Sequence, residues 1–318
     1  MRGLQLGTET ATVPSLPPNP SLRFASVSLC GALALSLAGC SEPGVPVATV
    51  SVALNRASVP LGGPMEVAFR FERFDSSPEL NAIDGEYRVL VHFLDDEGSI
   101  MWTDDHDPPV PTSSWQSGQA VAYSRRVFVP LYPYIGEAVV AVGLYSPTTG
   151  ERLTLLGEGL GERAYRGAVF TLTPQAVSSH LVYGDGWHGG ESRPGISNPG
   201  SGDEWRWTSD RASVTFRNPH SDMRLYLNLA GRPGLFEDGE QRVGVRVGGT
   251  LTHEIPLMSG ERQFQELDLR AEQLGDADMV RLDLEVDPSF VPSELPDLTS
   301  EDVRRLGVRV FYIFLETL

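Results

Sequence analysis

The chain has 318 residues with 25 basic side chains, all arginine, against 42 acidic ones, for a formal net charge of −17. That acidity excludes a phosphate-reading surface, because nucleic acid and anionic lipid demand clustered cations. Both cysteines, Cys30 and Cys40, lie in the first eighth of the chain, so neither a disulfide framework nor a thiolate metal site can hold the rest together. At 41% hydrophobic content that remainder can fill its own cores, and its length suits two domains of ordinary size.

Arg23 precedes an uncharged run, Phe24 to Leu37, that ends in Leu37-Ala38-Gly39-Cys40. Its length fits the apolar region of an export signal and falls short of the ~20 residues that a bilayer span needs. The four closing residues resemble a bacterial lipoprotein signal, with an aliphatic residue, two small ones and the cysteine that is lipidated. The resemblance implies removal of residues 1–39, lipidation of Cys40 and residence in the bacterial cell envelope, on a lipid anchor. Pro14, Pro17, Pro18 and Pro20 stand in an unusually long stretch ahead of Arg23. Losing Arg2, Arg23 and Glu9 would leave the mature chain slightly more acidic, so attachment to a membrane falls to the lipid alone.

Residues 40–46 read as a short lipidated tether, with two prolines and a glycine. Strand signals then follow one another: Val47 to Leu54, Met65 to Phe71, Tyr87 to Leu94, Val121 to Val129, Ala138 to Leu144 and Ala168 to Leu172. Both faces of Val89 to Leu94 are apolar, as in a strand covered on both sides, and Asp95-Asp96-Glu97-Gly98 has hairpin-turn chemistry. Short strands at this spacing predict an immunoglobulin-like β-sandwich over residues 47–172. Val91 to Asp95, Trp102, Asp107-Pro108-Pro109, Pro111 to Trp115 with Gly118, Val142 to Tyr145 and Thr149 to Leu153 resemble a β-sandwich domain appended to membrane glycosyltransferases of the protein-mannosyltransferase type. No multi-spanning catalytic part accompanies it here, so the resemblance implies an accessory role near envelope glycans.

Residues 173–180 read as a linker, and strands resume over residues 181–318. Trp205 to Thr208, Ala212 to Phe216, Met223 to Leu229, Val243 to Val247, Thr250 to Ile255, Gln263 to Leu269, Met279 to Val286 and Val308 to Leu315 predict a second, jelly-roll-like sandwich. Leu298 to Leu306 alone carries a helix-start signature, with Ser300 as N-cap and Glu301 and Asp302 in the first turn. Gly186-Trp187, Glu191, Trp205-Arg206-Trp207, Phe290 with Pro292, and Asp302 to Gly307 resemble a further module that accompanies surface-polysaccharide glycosyltransferases.

Trp187, Trp205 and Trp207 are the candidate sugar contacts, because pyranose rings stack their C–H faces on aromatics, while Glu191, Asp203 and Arg206 could hold hydroxyls. Alternation puts Trp205 and Trp207 on one face and Arg206 on the other, and that shared face can be core or platform. Asp104, Asp105 and Asp107 concentrate oxygen ligands for calcium, but the spaced carboxylates and turn glycine of an EF-hand are missing and an ordinary polar loop before Pro108-Pro109 is the easier account. Asp302, Arg304 and Arg305 read as an ion-pair group or a ligand site. Catalytic signatures fail: His253-Glu254 has Leu257 where a zincin needs its second histidine, His220-Ser221-Asp222 are adjacent rather than convergent, and Gly157, Gly159 and Gly161 precede neither helix nor lysine. The expectation is an all-β, non-catalytic envelope lipoprotein without a resident cofactor that binds or organises glycans. A protein-binding assembly subunit and a polysaccharide hydrolase are the alternatives.

Overall fold

The computed structural model describes residues 44–74, 83, 85–192, 204–296 and 299–318. The signal segment, Cys40 and Asp203 lie outside these residues. Among these described residues twenty strands dominate, and none of the helices is long and apolar enough to cross a membrane.

The first sandwich comprises β1 (Ala48–Leu54), β2 (Ser58–Pro60), β3 (Pro64–Arg73), β4 (Arg88–Leu94), β5 (Ile100–Thr103), β6 (Ala120–Phe128), β7 (Gly136–Tyr145), β8 (Leu155–Leu156), β9 (Gly159–Gly161) and β10 (Ala164–Thr173). One sheet runs β6-β3-β1-β8; the other runs β2-β10-β7-β4-β5, with β9 paired to β10. After pairing antiparallel with β3, the chain leaves β1 and crosses to the opposite sheet, where β2 lies parallel to β10. That exchange of the first strand between sheets gives the sandwich its immunoglobulin-like character. Three-residue β2 and four-residue β5 carry too little alternation to be seen in sequence. Val89, Val91 and Phe93 of β4 are fully buried, and Leu90 is buried on the opposite face. The turn after β4 is closed by Asp95, whose Oδ1 accepts hydrogen bonds from the Glu97 and Ser99 amides. Trp102 stacks on Phe93 at 4.5 Å, while Trp115 packs against Phe71 at 5.3 Å.

The carboxylates proposed for calcium have other uses. Asp104 receives both Arg125 Nε and Nη2 at 2.8 and 2.9 Å, Asp105 Oδ1 accepts the Val91 amide, and Asp107 pairs with Arg88. The three carboxylates thus staple this loop to two strands, β6 through Asp104 and β4 through Asp105 and Asp107, as the polar-loop reading has it. Inside it, His106 is buried with Nδ1 2.8 Å from the Asp104 carbonyl and Nε2 2.7 Å from the Tyr123 hydroxyl. A carbonyl can only accept, so Nδ1 carries the proton and Tyr123 donates to Nε2. Burial lowers the His106 pKa, and burial likewise lowers that of His92. The unfolded chain therefore takes up protons that the folded one refuses, and the effect acts as pH falls below about 6.5. The unfolding midpoint of the first sandwich is expected to hold above that pH and fall between pH 6.5 and 5; the paired substitutions His92→Gln and His106→Gln should flatten the slope.

The second sandwich contains β11 (Val182–Tyr183), β12 (Trp187–Ser192), β13 (Glu204–Thr208), β14 (Arg211–Arg217), β15 (Met223–Ala230), β16 (Gln241–Val247), β17 (Thr250–Leu257), β18 (Gln263–Leu269), β19 (Met279–Asp287) and β20 (Arg309–Thr317), with a one-turn helix α1 (Ala271–Leu274) before β19. Its sheets run β11-β14-β19-β16-β17 and β12-β13-β20-β15-β18. Counting β13 to β20 as one to eight, the orders are 2-7-4-5 and 1-8-3-6, the winding of a jelly roll, with β11 and β12 added at the edges. Alternation in Met223–Ala230 sends Met223, Leu225, Leu227 and Leu229 into the core, each fully buried. The helix expected from Leu298 does not form over residues 299–306. Asp302, which would have sat in its first turn, is captured by the Arg304 guanidinium, and Leu306 bridges to Phe290 in extended backbone.

The outer face of the β12-β13-β20-β15-β18 sheet is covered rather than bare. Phe128 packs on Tyr312 at 4.0 Å, and the Arg126 guanidinium lies over Phe264 at 3.8 Å. Arg56 reaches Glu316 at 2.8 Å and Tyr226 Oη at 3.2 Å, the Tyr226 hydroxyl donates to Glu316, and Tyr312 donates to the Gly62 carbonyl. The segment between the sandwiches is packed as well, with Ser178 and Ser179 buried. The two sandwiches thus belong to one compact unit.

Candidate functional site

The chain crosses from the edge of one jelly-roll sheet to the edge of the other through Gly184-Asp185-Gly186. Gly186 sits at φ +85°, and a Cβ there would run into the Arg211 carbonyl and stand 2.8 Å from Ala212 Cα, so only glycine permits the crossing. Tyr183 and Trp187 bracket it. Their rings meet edge to face at 5.0 Å, and Trp187 Nε1 donates to the Ser213 carbonyl at 2.7 Å. From β13, the Arg206 guanidinium carbon lies 5.1 Å from the centre of the Tyr183 ring.

Beside this cluster the second sheet opens. β13 pairs with β20 only at Arg206↔Val310 and Trp207↔Arg309. The ladder from β15 slips at the same level, between Asn228 and Leu229, leaving Phe311 as an extra residue of β20. A cavity of about 200 Å³ results, lined by Tyr183, Trp187, Glu204, Trp205, Arg206 and Phe311 among others. Tyr183 is 43% exposed, and Arg206 and Glu204 are exposed. An open groove with aromatic walls, one cation and one carboxylate can stack a sugar ring and bind its hydroxyls from both sides.

The candidate residues divide. Trp187, Trp205 and Arg206 line the groove; Glu191 and Trp207 do not. Trp207 is only 6% exposed and packs with Phe290, its ring edge to face at 5.9 Å, and with Leu306, so it is core rather than platform. Trp205 shares that face, as its spacing requires, and touches Phe311 at 5.8 Å. Glu191 accepts from Arg304 at 2.8 Å, and Arg304 also grips Asp302, whose pKa its hydrogen bonds hold down to about 2. Those acids and Arg304 form the structural ion-pair group, which removes Glu191 from the candidate contacts. Trp187 serves two ends at once, because it also packs on the jelly-roll core. Sequence reading missed Tyr183, Glu204 and Phe311: a two-residue strand shows no alternation, and a bulge has no sequence signature in an otherwise alternating run.

Among the described residues no group of three or more His, Cys, Asp or Glu side chains is placed to hold a metal ion. His253 and Glu254 are consecutive residues of a strand, and His220 stands in a turn at φ +54°.

No family model matches the chain, and no curated protein matches it in sequence. Among solved structures, the CBM36-1 domain of a multidomain xylanase from the hindgut metagenome of Trinervitermes trinervoides aligns over 44% of this chain and 98% of its own, at 10% identity and a TM-score of 0.26. A carbohydrate-binding module CBM36 in complex with calcium and xylotriose aligns over 44% and 96%, at 14% identity and 0.24. The DNA glycosylase AlkC of Pseudomonas fluorescens, bound to DNA containing an abasic site analog, aligns over 40% and 31%, at 16% identity and 0.24. Scores of this size carry no weight for ligand or activity.

Proposed function

We propose that this chain is a lipid-anchored, non-catalytic protein of the bacterial envelope that binds or organises glycans through the groove between β11 and β20. The observation that carries this reading is the meeting of Tyr183, Trp187, Arg206, Glu204 and Phe311 at one open cavity. Aromatic rings supply the apolar platform that a sugar's C–H face needs, and a guanidinium and a carboxylate supply donors and acceptors for its hydroxyls. Net acidity turns the chain away from phosphate polymers. The signal-like Leu37 to Cys40 supports export and anchoring, and the likeness of residues 47–172 to a glycosyltransferase accessory domain supports work beside envelope polysaccharides.

The test is retention on a glycan array and on immobilised polysaccharides, using protein that starts at Ser41, with and without calcium. Arg206→Ala and Tyr183→Ala are expected to weaken retention at least tenfold while shifting the melting temperature by no more than a few degrees, since both side chains are substantially exposed. Trp187→Ala is the poorer probe, because its loss also uncovers core. Retention that survives both substitutions, or folded protein that retains no glycan, overturns the reading.

A further inference from the structure

The sugar groove does not end at β20. Tyr183, Glu204, Phe311, Tyr312 and Ile313 line it and also line a second cavity, of about 440 Å³, at the junction of the two sandwiches. The first sandwich contributes Gly62 and Phe128 to Leu131 to that cavity, and the second contributes Phe311 to Phe314. Its volume is that of a small-molecule site.

The chemistry changes along the way. In the groove, Arg206 and Glu204 present charge. Toward the first sandwich, Val129, Pro130, Leu131, Leu181 and Ile313 line the cavity with hydrocarbon side chains, and several polar neighbours have donors committed to backbone carbonyls: Tyr312 to Gly62, Gln175 to Ser179 at 3.2 Å and His180 Nδ1 to Ala176 at 3.1 Å. A sugar pushed into this part would strip its hydroxyls of water with few partners in return, and a peptide would do the same with its amides, each unpaired group weakening binding. A hydrocarbon chain brings no such groups.

Resting on the glycan reading, we infer that the ligand is an amphipathic glycoside, with its sugar in the Tyr183–Arg206 groove and its alkyl, acyl or prenyl chain in the cavity between the sandwiches. Burying apolar chain yields about 0.8 kcal/mol per methylene, close to a fourfold gain in affinity for each. Leu131 stands at the rim of this cavity and is 72% exposed, so it can be replaced without cost to the core.

The experiment titrates protein starting at Ser41 with hexyl, octyl and decyl β-maltoside, each below its critical micelle concentration, and with decanoate as a chain without a sugar. Affinity is expected to rise at least tenfold from hexyl to decyl, Leu131→Asp to flatten that rise, and Arg206→Ala to weaken all three maltosides by a common factor. Equal affinity for all three chain lengths, a rise untouched by Leu131→Asp, or no binding of decyl maltoside at all overturns the inference, and the glycan array still judges the sugar reading by itself. Decanoate bound as tightly as decyl maltoside would keep the cavity for hydrocarbon and remove the sugar.

Discussion

Replacing Trp207 with alanine is expected to cost the second sandwich about 3–5 kcal/mol, the range for truncating a buried tryptophan. The ring is enclosed by Phe290 and Leu306, with the Arg309 guanidinium 5.8 Å from its centre, so its removal leaves a void bounded by loops that cannot close over it. Urea unfolding followed by intrinsic fluorescence measures the loss. Glycan retention by the fraction still folded should be unchanged, because Trp207 does not line the groove. A loss below about 1 kcal/mol would return Trp207 to the surface and reopen the platform reading.

Gln241→Ala should have an effect of similar size from the opposite chemistry. Gln241 is fully buried, its Oε1 accepts the Arg232 amide at 2.8 Å, and its Nε2 donates to the Pro288 and Gly307 carbonyls at 2.8 and 3.1 Å. One side chain thus ties together three segments, including those that lead into Phe290 and out of Leu306 and so roof Trp207. Each stranded backbone group costs roughly 1–3 kcal/mol, so a total of about 3–5 kcal/mol is expected. Guanidinium melts read this directly. In addition, Trp207 fluorescence should become more accessible to acrylamide in the folded variant, which a change confined to the unfolded state would not produce.

The longer strands of both sandwiches are legible in the sequence because at least one face of each lies in a core, whereas β2, β5, β8, β9, β11 and β12 are not. In Met223–Ala230 the period of two survives intact, and every even-spaced leucine is inside. The same period put Trp205 and Trp207 together correctly but could not say what lies above them. Here the outer face of the sheet is itself covered, by loops at Trp207 and by the first sandwich at Tyr312 and Phe264, so an aromatic on the outer side is not an exposed aromatic. Tyr183 escaped notice for a different reason: its strand is two residues long, and its role arises only where two sheet edges meet. The helix signal at Ser300 was real local chemistry that a side-chain pair, Asp302 with Arg304, turned to another purpose. Asp104 and Asp105 looked like metal ligands because composition reports the oxygens and not the guanidinium and amide that face them.

β1 has a further consequence. Its first residue follows four residues after Gly44, at the end of the first sandwich where Ala48 faces Arg73; its last, Leu54, leads to Arg56 and the seam with the jelly roll. Six steps of about 3.3 Å along this seven-residue strand separate those ends by roughly 20 Å. The cavity beside Gly62 thus lies at the Leu54 end of the first sandwich, away from Ala48, so a ligand seated there meets the jelly roll and one end of this sandwich while the opposite end stays clear of it.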